Sequence, residues 1–209
     1  MNQTNGKGRF ERKWYSEKGL DLTFSTLFLP NEKVKNLSVV SLYAGLAVYK
    51  VLIKQLDENL NLKWPNDIYY KDKKLGGILC ENIYSNNKQV VIIGIGINVN
   101  SINNSEKISD NNITSVKEIT NINYNIDFIL NDILKELRIY LNNFNFPLNN
   151  DILNEWKNAS TSIGKKVLYE QDGEQKNAVI IDINNNSALT LLDEKTNKKI
   201  NFFGEIIFK

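Results

Sequence analysis

Residues 63–79 read KWPNDIYYKDKKLGGIL. A Trp-Pro pair opens the stretch, and Pro65 ends regular structure because it has a fixed φ and no backbone N–H to donate. Asn66 and Asp67 then stand as polar groups at the entrance of a strand. Residues 67–83 predict a hairpin, with KDKK near its tip and GGILCENIY as the return strand. Two readings stay open at each polar position. Asp67 would suit a magnesium ion, which takes oxygen ligands and bridges to phosphates, or equally an Asx turn that closes the hairpin. Lys74, beside two glycines that let a ligand approach the backbone, would face that ligand or would be a surface lysine like Lys71 and Lys73.

The chain on either side gives this hairpin its setting. QVVIIGIGINV (89–99) is apolar and β-branched and predicts a central strand. Glycines within GIGIN (94–98) weaken a strand unless something must come near the backbone. The motif is not GxGxxG and no helix follows it, which disfavours a dinucleotide fold. Upstream, LDLTFSTLF (20–28) puts Leu20, Leu22, Phe24 and Phe28 on one face of a strand. Residues 38–57 carry apolar side chains at helical spacing, with Ser38 as N-cap. Downstream, 101–125 predicts a loop with a short helix near 113–119, and 127–144 and 150–159 predict two amphipathic helices. After Ser162, short strands separated by DG, NNN and EKTN turns predict a small all-β module. The expected organisation is an α+β domain over 1–161, a mixed β-sheet with helices packed on it, followed by a β-barrel or sandwich over 162–209.

Composition narrows the chemistry. The 209 residues are 42% hydrophobic and 24% charged, with a net charge of +2, so no global basic bias points to nucleic acid or a membrane. No apolar run approaches the roughly 20 residues of a membrane span, and the opening MNQTNGKGRF lacks the apolar stretch of a signal peptide. One cysteine, Cys80, excludes an internal disulfide, and these features favour the cytoplasm. There is no histidine, so Ser-His-Asp and Cys-His nucleophile systems and His-ligated zinc are excluded. Of the 26 Lys and Arg residues only Arg9, Arg12 and Arg138 are arginine, and two of these fall in the opening segment NGKGRFERKW (5–14). That segment has no hydrophobic repeat of either period, which predicts neither a packed helix nor a packed strand. Gly6 and Gly8 would expose amides to an anion, Lys7, Arg9 and Arg12 would add charge, and Trp14 could cover an aromatic ring. It is not a Walker loop, because no Lys-Ser or Lys-Thr pair follows the glycines.

QTNGKGRFERKW, KWPNDIYYKDKKLGGIL and GIGIN, in this order and spacing, resemble the motifs of biotin protein ligases, and the closing GEIIFK resembles the end of their SH3-like C-terminal domain. The resemblance implies a class II aminoacyl-tRNA synthetase/biotin ligase-like sheet and ATP-dependent chemistry. Biotin's carboxylate attacks the α-phosphate of ATP, and a lysine of a biotin carboxyl carrier protein then attacks the resulting biotinyl-5′-AMP. It also implies roles by position. Arg9 and Lys74 would be catalytic, at the reacting carboxylate and α-phosphate. Gln3, Gly6, Lys7 and Arg9 would bracket biotin and the activated carboxyl group. Lys7 stands where the family more often has arginine. Arg12 would contact the phosphates and Trp14 would stack near adenine. Gly77, Leu79, Gly94 and Ile97 would line the biotin pocket. Asn66 and Asp67 would serve phosphates and Mg2+, with Asp67 the metal ligand, and Asn98 the adenine or ribose side. Glu205 and Lys209 are the C-terminal candidates to reach the nucleotide.

The resemblance begins at the opening loop. The family's catalytic domain usually has a preceding segment with an Asp-Ser-Thr-Asn stretch; the expectation is that the start of this sequence is misassigned or truncated, and only if it were complete would the sheet be a strand short and biotin affinity lower. The family's helix-turn-helix domain has no counterpart here, so no operator DNA binding is implied. A possible homodimer completes the expected partners. The competing readings are a truncated relative that binds biotin or nucleotide with little turnover, a lipoate ligase-like acyl-adenylating enzyme, and a nucleic-acid module, which the near-neutral charge disfavours.

Overall fold

The computed structural model describes residues 3–85, 88–102 and 112–209. The chain opens with a short hairpin, β1 (Gly6–Lys7) and β2 (Lys13–Trp14), closed by a 3-10 turn over Arg9–Glu11. The expected irregular loop is therefore partly ordered. Backbone pairing of Gly6 with Trp14 and Lys7 with Lys13 needs no apolar pattern, so periodicity could not show it.

β3 (Leu22–Phe28) leads into α1 (Leu37–Leu52), which is followed by β4 (Leu60–Lys63), β5 (Asp67–Tyr70), β6 (Lys73–Ser85) and β7 (Lys88–Ile97). These strands form one antiparallel sheet in the order β3-β7-β6-β5-β4. The hairpin read from 67–83 is β5–β6, and β7 pairs on both sides as expected of a central strand. β4 goes beyond the sequence expectation: it is only four residues long and stops just before the Trp64-Pro65 pair. The expected helix over 38–57 is capped two residues earlier and ends sooner. The Asn36 side chain, rather than Ser38, accepts from a backbone amide, that of Ser38 at 3.0 Å.

The sheet has two unlike faces. Leu22, Ile68, Ile78, Ile93, Ile95 and Ile97 are buried on the side packed by α1. α1 is itself apolar around most of its circumference, with Val39, Val40, Leu42, Tyr43 and Leu46 fully buried, as befits a helix covered on both sides. Its outer side is covered by α3 (Ile126–Asn142) and α4 (Asn150–Ala159), after the short α2 (Val116–Thr120). The opposite face of the sheet carries glycines and polar side chains, and the cleft lies there.

The C-terminal strands are β8 (Lys166–Gln171), β9 (Glu174–Ile183), β10 (Leu189–Asp193), β11 (Lys199–Phe202) and β12 (Ile206–Phe208). They form a second antiparallel sheet, ordered β11-β10-β9-β8-β12. Among the described residues no ladder joins β11 to β12, so the expected barrel is compatible with this sheet but is not closed. Trp64, of the opening Trp-Pro pair, bolts the two sheets together. Its indole N–H donates to Ser187 O at 2.9 Å and its backbone N–H to Ser162 Oγ at 3.0 Å. The Lys157–Asp182 ion pair at 2.6 Å adds a link from α4.

Candidate active site

Strand register sets the floor of the cleft. Lys63 pairs with Asp67, Asp67 with Gly77, Gly77 with Gly96 and Gly96 with Thr23, one straight row across all five strands. Directly opposed residues of antiparallel strands share a face. This row therefore lies on the side away from α1, and each of its members lines the cleft. The cleft measures about 1930 Å³, more than the roughly 300–1,000 Å³ of a pocket for one small ligand.

The two glycines of the row make room for Trp14. A Cβ on Gly96 would lie between 2.5 and 2.8 Å from the indole ring, and one on Gly77 would meet Asp67 Oδ1 at 3.2 Å and the indole at 3.5 Å. The indole lies against the bare backbone here, with its Nε1 buried and, among the described residues, unpartnered. Sequence reading selected Gly94 from GIGIN. The glycine that the close approach requires is Gly96, since a Cβ on Gly94 would meet nothing nearer than 3.5 Å.

Lys74 is fixed at both ends. Its Nζ lies 2.8 Å from Asp67 Oδ1, and its backbone N–H and C=O bond to Asn112 O and Thr114 N at 2.6 and 2.9 Å. A bulge next to Tyr69 turns Lys74 onto the same face as Asp67. The Lys74 side chain lines the cleft. Arg9 reaches the same cleft from the opening hairpin. Its Nη1 donates to Asn66 Oδ1 at 3.2 Å, and Asn66 is itself held by donating to Ile78 O at 2.7 Å. Burial lowers the Arg9 pKa, Asp67 opposes that shift and Arg12 adds to it. Arg12, in the turn of the opening hairpin, is ion-paired to Glu205 just before β12.

These motifs share one cavity. Residues 1–98 match the Biotin/lipoate A/B protein ligase family. The structure superposes on the biotin protein ligase of Aquifex aeolicus, solved with biotin and ATP, with a TM-score of 0.82, 31% identity and coverage of 100% of this chain and 86% of that one. The chain belongs to the biotin protein ligase family. It is 29% identical over 166 residues to the bifunctional ligase/repressor BirA of Escherichia coli, covering 79% of this chain and 51% of that protein. It is 40% identical over 103 residues to biotin–protein ligase 2 of Arabidopsis thaliana, covering 47% of this chain and 31% of that protein. The chain thus spans about half the length of the E. coli relative and less of the plant one.

Most residues picked from the biotin ligase motifs line the cleft: Gln3, Lys7, Arg9, Arg12, Trp14, Asn66, Asp67, Lys74, Gly77, Leu79, Gly94, Asn98 and Glu205. Three do not. Ile97 is fully buried on the α1 side, one position out of phase with Gly96. Gly6 is buried within the hairpin, where a Cβ would clash with Trp14 O, so its role there is steric. Lys209 turns to Asn177 on the C-terminal sheet. Asn98 lines the cleft but is 6% exposed, and its Nδ2 donates to Thr114 O at 3.0 Å, so it stitches the wall. Sequence reading passed over Lys63, Tyr69 and Phe208, which also line the cleft. The alternation from Asp67 to Tyr69 was a usable signal for one of them.

Asp67 is the one acidic side chain in the row. Among the described residues no three His, Cys, Asp or Glu groups converge to form a metal cage. A half-buried carboxylate beside Lys74 suits magnesium, which is commonly held by one or two carboxylates together with substrate phosphates.

Proposed function

We propose that this chain is an ATP-dependent biotin ligase that forms biotinyl-5′-AMP and transfers biotin to a lysine of a biotin carboxyl carrier domain. The observation that carries this reading is the convergence of Arg9, Lys74 and Asp67 on one glycine-floored cleft. A biotin carboxylate oxygen would bond to the α-phosphorus, and the bond to the β-phosphate oxygen would break, releasing pyrophosphate. The acceptor lysine amine would then attack the acyl carbon and expel AMP. The substrates supply both nucleophiles, which accords with a chain that has no histidine.

The protein's part is positioning and charge neutralisation. Arg9, oriented by Asn66, and Lys74, oriented by Asp67, would hold the carboxylate and α-phosphate, whose negative charges repel each other. Asp67 together with the phosphates would hold Mg2+, which neutralises phosphate charge. The floor at Gly77, with Leu79 and Gly94 beside it, would take the biotin rings. Arg12 would reach the phosphates, and Trp14 would cover the nucleotide after leaving the floor. Residues 1–161 would form the catalytic unit and 162–209 an SH3-like unit, with the protein working in the cytoplasm. No helix among the described residues is long and apolar enough to cross a membrane. A homodimer would be seen by sedimentation.

The test is incubation with ATP, magnesium and biotin, followed by mass spectrometry. The expected product is biotinyl-5′-AMP, formed with pyrophosphate. Adenylation of lipoate in preference to biotin, or no acyl-adenylate at all, would overturn the reading.

A further inference from the structure

Asn5–Gly6 is the only asparagine–glycine step in the chain. At such a step the following backbone nitrogen can attack the asparagine side chain, because glycine has no Cβ to shield that nitrogen or to restrict the backbone. Asn5 is exposed and lines the cleft. Among the described residues its carboxamide has no hydrogen-bond partner to hold it. Lys7 follows directly, and Arg9 and Arg12 belong to the same hairpin, so an amide anion at Gly6 would form among positive charges, which favour it.

The pairing of Gly6 with Trp14 restrains this reaction. The hairpin has only two paired positions, and a two-stranded ribbon is marginally stable by itself, so it opens within the folded protein. Asn5 is guarded while the hairpin is closed and reactive when it opens.

We infer that Asn5 is a deamidation site whose modification disables the opening hairpin. The Gly6 nitrogen, having lost its proton to hydroxide, bonds to Asn5 Cγ. The Cγ–Nδ2 bond breaks, and the side-chain nitrogen takes a proton from water and leaves as ammonia. Water then adds to either carbonyl of the succinimide ring, which opens to aspartate or isoaspartate. In sum one amide and one water become one carboxylic acid and one ammonia, and nothing is oxidised or reduced.

Both products work against the site. Each sets a carboxylate beside Lys7, Arg9 and Arg12, the cations of the cleft's opening hairpin. Isoaspartate also inserts an extra main-chain atom before Gly6, where there is no slack. Even a Cβ on Gly6 would clash with Trp14 O and stand 3.2 Å from the Gln3 side chain. Gly6 then loses its register with Trp14, and the indole loses the hold that sets it against Gly77 and Gly96. The effect on adenylation rests on the ligase reading, whereas the modification and the loosening of the hairpin do not.

The experiment ages the full chain in mildly alkaline buffer at physiological temperature. Peptide mapping with electron-transfer fragmentation separates asparagine, aspartate and isoaspartate, and amide hydrogen exchange is followed at Trp14. Asn186, followed by Ser187, is the internal comparator. Asn5 should convert at least about tenfold faster than Asn186, with isoaspartate the larger product. In the aged chain the Trp14 amide should exchange roughly tenfold faster than in fresh protein. N5Q, which would need a larger and slower-forming ring, should age without either change and keep its adenylation. Fresh N5D should lower adenylation severalfold through charge alone while Trp14 exchange stays near the parent's. If Asn5 is intact when Asn186 has converted, the inference is wrong. It is equally wrong if Asn5 converts and Trp14 exchange stays as in fresh protein, or if aged N5Q loosens at Trp14 as the aged parent does. If both changes occur in the parent and fresh parent forms no acyl-adenylate, the modification site stands and the ligase reading falls.

Discussion

Gly96→Ala should destabilise the protein through one side chain, that of Trp14. The added Cβ would sit 2.5, 2.6 and 2.8 Å from three indole atoms, where carbon contacts ordinarily begin near ~3.5 Å. The ring must retreat by about 1 Å, and overpacking of this size costs about 1–3 kcal/mol. Against this, alanine loses less backbone entropy on folding than glycine, by roughly 0.4–1 kcal/mol where the conformation suits it. Gly96 is not among the glycines with positive φ, so the backbone accepts an alanine. The net expectation is a loss of about 1–2 kcal/mol. In a Trp14→Ala background the clash is gone and only the entropy gain remains, so the effect should change sign. Gly94→Ala, with nothing nearer than 3.5 Å, should be neutral or slightly stabilising in either background. Urea unfolding followed by far-UV circular dichroism, run as a double-mutant cycle, measures the coupling. Equal destabilisation by Gly96→Ala with and without Trp14 would refute the reasoning, as would a Gly94→Ala cost as large.

Arg9→Gly should raise release or hydrolysis of the acyl-adenylate roughly tenfold by removing a charge-assisted contact from the hairpin over it; adenylate retention equal to the parent in a single-turnover filter assay would count against this. Trp64→Ala should cost about 3–5 kcal/mol, and Trp64→Phe, which loses chiefly the bond to Ser187, about 1 kcal/mol; hydrogen exchange should speed up at the junction of the sheets before it does in α1. Asp193 is held by the Tyr169 hydroxyl and by Thr196, which lower its pKa from 3.8 to about 2. A depressed carboxylate contributes stability that is present above 3.8 and lost as pH falls toward 2, so Asp193→Asn should flatten the fall in Tm between pH 4 and 2, and an unchanged slope would remove this group from the acid limb.

Local periodicity carried much of this fold. Asn150–Ala159 coincides with the predicted helix and Ile126–Asn142 nearly does, because each has one apolar stripe and an asparagine cap. α1 was harder to bound. Ile53 and Leu56 keep the helical spacing after the chain has left the helix at Leu52, and a helix buried on all sides offers no polar face to mark its end. In the site, motif residues indicated which segments converge, but strand parity decided which side chains face the cleft. A shift of one residue separates Gly96 on the floor from Ile97 in the core. Lys63 is not legible because β4 is not, and Phe208, which lines the same cleft, lies at the far end of the chain. The Arg12–Glu205 pair is hidden for the same reason. Contacts between segments distant in sequence leave no local pattern.

The central claim is that Arg9 and Lys74 close on one acyl-phosphate above the glycine floor. A crystal structure with a non-hydrolysable biotinyl-adenosine analogue measures this directly. The account predicts the phosphate surrogate within hydrogen-bonding distance of both side chains and the biotin rings over Gly77, with Trp14 displaced. An analogue bound elsewhere, or held with either side chain turned out to solvent, would contradict it.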